Sequence, residues 1–145
     1  LHAVHAAYAR IRAAADFVLV EGAGGLLVPI TTSVTMAELA RDLDLPLLVV
    51  VGSKLGALNH ALLTCEVARG RGLRLAGYVV NFPSRGADVA ADTNVGVLAR
   101  RLGPPLGVLP FADDAASSTS ADRARLAALA EEHLDLDRLL ADAAR

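Results

Sequence analysis

LPLLVVVGSKLGALNHALLTCEVARG, residues Leu45 to Gly70, carries the pattern that decides the fold. Its first part, Leu45 to Gly52, is an unbroken aliphatic run bounded by Pro46 and Gly52. Such runs suit a strand covered on both faces, as in a parallel sheet. From about Ala57 to Arg69 the residues favour a helix, closed by the glycines around Arg71. A strand, a glycine-bearing turn and a helix follow one another directly.

The same alternation extends in both directions. Upstream, DFVLVEG reads as a buried strand over Phe17 to Val20, preceded by a helical pattern from His2 to Ala14 with Val4, Tyr8 and Ile11 on one face. Between the strands, TMAELARDLDLP has Thr35 or Ser33 as N-cap and Met36, Leu39 and Leu43 as an apolar stripe. Downstream, LRLAGYVVN is a third strand ending at Asn81, and LGVLP a short fourth. A helix is expected from Ala87 to Leu102, stopped by Gly103, Pro104 and Pro105. FADDAASSTS reads as a polar loop, and the tail from Ala121 as one or two amphipathic helices. The expectation is an α/β fold, a parallel β-sheet with helices on both faces, in a single domain over 1–145.

Composition narrows the setting. The 145 residues are 54% hydrophobic, but no apolar run is long enough to span a membrane and no signal-peptide pattern occurs. A single cysteine, Cys65, permits no internal disulfide and suits a reducing compartment, so a cytoplasmic location is expected. With a net charge of −2 and scattered arginines, no nucleic-acid footprint is present. Thirteen of the basic residues Lys and Arg are arginine and only one, Lys54, is lysine. The chain opens at Leu1 directly on a helical pattern, which leads us to expect a piece of a longer protein.

In parallel α/β sheets, ligands bind beyond the carboxyl ends of the strands. Three strand ends here carry polar or glycine-rich loops: Glu21–Gly25, Gly52–His60 and Asn81–Gly86. In VEGAGGLLVPIT, which begins at Val20, Glu21 can hold Mg²⁺ that also bridges phosphate oxygens. Gly22, Ala23, Gly24 and Gly25 let backbone N–H groups approach an anion. The spacing fits equally well a Glu21–arginine pair beside a tight glycine turn. In GSKLGALNH, Gly56 leads into a helix start whose unpaired N–H groups favour a carboxylate or phosphate, and Asn59 can donate or simply cap. His60 reads as a packing residue or one that supports the site from behind, rather than a catalyst, and Thr64 and Cys65 as structural ones. Asn81 can pair with a purine edge or form an Asx-turn before Pro83. DTN, Asp92 to Asn94, either begins a helix or faces a ligand.

Taken together, VEGAGGLLVPIT, LPLLVVVGSKLGALNHALLT, GLRLAGYVVN, DTN and LGVLP, in that order, resemble the dethiobiotin synthetase family. The likeness runs from about Asp16 to Pro110. It implies a P-loop NTPase-like fold, ATP and Mg²⁺, and ureido-ring closure from 7,8-diaminononanoate and CO₂. By the resemblance, Glu21 matches the Mg²⁺ ligand, and Gly22 to Gly25 the backbone beside substrate and phosphates. Gly56, Ala57 and Asn59 match the helix start that binds the substrate carboxylate, in that family across a homodimer interface. Asn81 matches the adenine-reading asparagine, with Gly107 to Pro110, including Leu109, beside the base. Lys54 matches a position that brings positive charge near the substrate, a catalytic candidate, and Thr93 falls near the substrate tail.

One departure is large. The family's glycine-rich P-loop ending in Lys-Thr, a further catalytic lysine and a second acidic metal ligand have no counterpart in this sequence, which contains no G-x-x-x-x-G-K-[ST]. The resemblance implies that the first strand and the phosphate clamp lie in roughly an N-terminal third outside these residues. Two alternatives share VEGAGG or the fold: an amide-forming ligase of cobyrinate metabolism, and a binding module without catalysis.

Overall fold

The computed structural model describes residues 1–84, 89–112 and 119–143. The chain divides into two compact units, Leu1–Asp44 and Leu45–Arg145.

In the second unit the aliphatic run becomes β1 (Leu47–Gly52), followed by α1 (Ala57–Gly70) and β2 (Leu75–Asn81). Then come α2 (Val89–Leu102), β3 (Gly107–Leu109), α3 (Ser120–His133) and α4 (Leu136–Ala143). The three strands form a parallel sheet in the order β1–β2–β3. Pairing of Val49 with Tyr78, Val51 with Val80 and Val80 with Val108 puts these side chains on one face. There they meet Ala57 and Ala61 of α1 and Leu98 of α2 in the main core cluster, with Val80 and Leu98 fully buried. The Tyr78 hydroxyl within this core donates to the Gly103 carbonyl at 2.8 Å, so the phenol is buried without losing its hydrogen bond.

Helix α1 stops as the sequence indicates. Gly72 N–H donates to the Arg69 carbonyl and Leu73 N–H to the Ala68 carbonyl, the paired bonds of a Schellman closure. The outer edge of β3 is covered by the segment between α3 and α4. Gly107 bridges antiparallel to Leu134, and Asp135 N–H donates to the Leu106 carbonyl at 2.7 Å. A side chain at Gly107 would lie 2.1 Å from the His133 carbonyl oxygen, so only glycine permits this approach. The outer side of β1 pairs with no strand among the described residues, and Val50 is 64% exposed.

The first unit holds α5 (His2–Arg12) and α6 (Met36–Asp42), numbered after the sheet helices. Thr35, not Ser33, caps α6: its side chain accepts from the backbone and Glu38 reaches back to the Thr35 N–H at 2.7 Å, a capping box.

One expected strand is absent. Phe17 to Val20 has no strand structure, and Phe17, Leu19 and Val20 are exposed by 53%, 77% and 41%. An apolar run becomes a strand only when a neighbour takes its backbone hydrogen bonds; no described residue supplies one. The expected helix start at Ala87 and most of the loop after Phe111 fall outside the described residues.

Candidate functional site

The carboxyl ends of the three strands lie side by side. Gly52 is in register with Asn81, and Asn81 with Leu109. Hydrogen bonds continue past the last rungs, from Ser53 N–H to the Asn81 carbonyl at 2.8 Å and from Phe82 N–H to the Leu109 carbonyl at 3.0 Å. Asn81 and Gly107–Pro110 are therefore neighbours along one sheet edge. The Asn81 side chain is half-buried and forms no Asx-turn bond among the described residues, which leaves its amide donor and acceptor for other use.

The turn between β1 and α1 is pinned from several sides. Ser53 is 5% exposed and Asn94, on α2, 2%. The Asn94 Nδ2 donates to Ser53 Oγ and to the Lys54 carbonyl, both at 3.2 Å. Ala57 N–H donates to the same carbonyl at 3.0 Å. Gly56 stands at the N-cap of α1 with φ of +87° and no side-chain cap. Among the described residues, Leu58 and Asn59 have no backbone acceptor for their N–H groups. These donors and the positive end of the helix dipole suit an organic anion.

Lys54, Asn59 and His60 are exposed. A cleft of about 250 Å³ along β1 and α1 brings Lys54, His60 and Thr64 together. His60 is thus a surface side chain, which excludes the packing half of its expected role, with its ring edge 3.8 Å from where a Gly56 side chain would begin. Cys65, on the same helix, faces inward at 3% exposure, and burial pushes its thiol pKa up, with Arg69 opposing.

In the first unit, Glu21 to Gly25 form an exposed irregular segment. Gly24 and Gly25 have φ of +81° and +131°, and the Gly25 carbonyl accepts from Val28 N–H at 3.1 Å. Here the glycines make a turn, and the Glu21 carboxylate lies at the surface. No arginine of this unit forms an ion pair with Glu21 among the described residues. No group of three or more His, Cys, Asp or Glu suited to a metal occurs among the described residues. A single exposed carboxylate fits Mg²⁺ shared with phosphate oxygens and water, the usual manner for that ion, and does not fit an all-protein cage.

Thr93 sits on α2 and is exposed, while its neighbour Asn94 points into the core. Sequence reading left DTN open and missed Asn94. The available signal was its spacing, one helical turn before Leu98.

A parallel sheet with helices around it and loops gathered at its carboxyl edge defines an α/β chain of the P-loop NTPase-like class. A family model described as an AAA domain matches residues 2–119, and the chain belongs to that family. Among similar proteins is one named ATP-dependent dethiobiotin synthetase BioD from Janthinobacterium sp. (strain Marseille), 48% identical over 104 residues, 71% of this chain and 44% of that one. Proteins of the same name from Cellvibrio japonicus (strain Ueda107) and Ralstonia nicotianae (strain ATCC BAA-1114 / GMI1000) are 47% and 44% identical. Those matches cover 87% and 93% of this chain and 51% and 55% of the relatives. The relatives bear the family name to which the sequence motifs pointed. The chain spans about half the length of the curated relatives it matches. No helix among the described residues is long and apolar enough to cross a membrane.

Proposed function

We propose that the chain is part of an ATP-dependent dethiobiotin synthetase of biotin biosynthesis, acting in the cytoplasm as a homodimer. The observation that carries this reading is the 44% identity to a relative of that name across 93% of the chain. The alignment of Gly52, Asn81 and Leu109 along one sheet edge supports it.

In this reading one amine of 7,8-diaminononanoate takes up CO₂ as a carbamate, releasing a proton. A carbamate oxygen then attacks the γ-phosphorus of ATP, and the bond to ADP breaks. The second amine attacks the carbamoyl carbon, closes the ureido ring and expels phosphate. Mg²⁺, when bound, neutralises charge on the phosphates during transfer. Glu21 is the residue of this chain that would hold it, and Gly22, Ala23, Gly24 and Gly25 supply backbone beside substrate and phosphates. Gly56, Ala57 and Asn59 hold the substrate carboxylate at the start of α1, across the dimer interface. Lys54 adds positive charge close by, and Thr93 lies toward the substrate tail. Asn81 reads the adenine edge, with Gly107, Leu109 and Pro110 beside the base. The phosphate clamp comes from outside these residues.

The test uses the protein expressed from its complete gene. It is expected to restore growth to a strain unable to make dethiobiotin, and to consume diaminononanoate only with bicarbonate and MgATP. Failure to rescue, with ATP turnover on cobyrinate instead, overturns the reading.

A further inference from the structure

We propose that Asn94 is a positioning residue for the substrate-carboxylate cradle, acting through the turn between β1 and α1. The inference rests on the synthetase reading and adds to it a residue on a different element. Asn94 lies one and two helical turns before Leu98 and Leu102, both part of the apolar cluster on the sheet. An apolar side chain would be expected in that stripe. Asn94 and Ser53 are instead the two buried polar residues among those described. Placing an amide there is costly unless its bonds are made.

Those bonds go to one place. One Nδ2 group reaches both Ser53 Oγ and the Lys54 carbonyl at 3.2 Å. The Lys54 carbonyl also receives Ala57 N–H, the first N–H of α1. Asn94 therefore fixes the peptide from which the helix start hangs, and with it the direction of the Leu58 and Asn59 N–H groups. It also fixes the backbone at Lys54, whose side chain stays exposed. Among the described side chains of α2, Val95, Leu98 and Leu102 make its apolar contacts in the core cluster; the amide adds orientation of the turn.

Asn94→Asp keeps the shape and removes the donor. In the protein expressed from its complete gene, it is expected to raise KM for diaminononanoate roughly tenfold, the scale of loss from a slightly displaced binding group. KM for ATP stays within about twofold, and amide hydrogen exchange speeds up in residues 54–59. A lowered unfolding temperature with KM for diaminononanoate unchanged overturns the proposal. So does a parallel rise of both KM values, the mark of general loosening. If Asn94→Asp does not fold, Ser53→Ala, which deletes one of the two acceptors, decides on the same ratio of KM values. Wild-type protein that neither binds nor consumes diaminononanoate overturns the synthetase reading itself, and the role of Asn94 with it. An active wild type with an unshifted variant overturns only the role of Asn94.

Discussion

At Gly77 a side chain would meet both a strained backbone and a close neighbour. Its φ is +145°, and a methyl group there would lie 2.7 Å from Leu106 Cδ1. Gly77→Ala combines a disfavoured backbone with an overfilled site, and should destabilise by about 2–4 kcal/mol in urea unfolding. Cys65 gives a prediction in pH. Burial raises its thiol pKa in the folded chain above the ordinary 9.0, so the unfolded chain releases that proton first. Its stabilising contribution is full below pH 9.0 and is lost as pH rises toward the folded value. Tyr78, raised by burial and by nearby Cys65, acts in the same direction at higher pH. Cys65→Ala should flatten the alkaline fall of the unfolding temperature while lowering it at neutral pH. At this scale the sequence was readable where a residue has few uses, as with Gly56 at a helix start. It was opaque for Asn94, because the same letter caps a helix, turns a loop or anchors a buried turn.

Elements followed the sequence where pattern and partner agree. β1, β2 and α1 were legible because aliphatic runs end at Pro46, Gly52 and the glycines near Arg71, and because each run has a neighbour. Phe17 to Val20 has the same composition as a strand but no described strand beside it, and propensity does not supply a partner. The capping of α6 was half legible, since two hydroxyl residues stood at usable positions and only Thr35 has Glu38 three residues on. Thr35→Ala removes the side-chain arm of that box, leaving the backbone N–H to Glu38, and should cost about 1 kcal/mol, read as faster exchange of the α6 amides. In the candidate site, the strand-end loops were visible as interruptions of apolar runs. The cleft joining Lys54 to His60 was not, because it depends on how α1 lies along β1.

Across the whole molecule, the sheet has two unlike sides. β3 is sealed by the segment around Leu134, whereas among the described residues β1 ends the sheet, with Val50 at the surface. An edge strand of Leu and Val with one free side is a ready template for another strand. The 145-residue chain is therefore expected to self-associate, and Val50→Lys to suppress that association in light scattering without lowering the unfolding temperature. Unchanged scattering by Val50→Lys would assign the association to another surface.

The seal over β3 also limits what such association can become. Filaments need two complementary sticky margins per subunit, so that each copy passes its own free margin on to the next. Here one margin is already spent within the chain, and two copies meeting through the other would exhaust both of them about a twofold axis. Growth by this route closes at a pair.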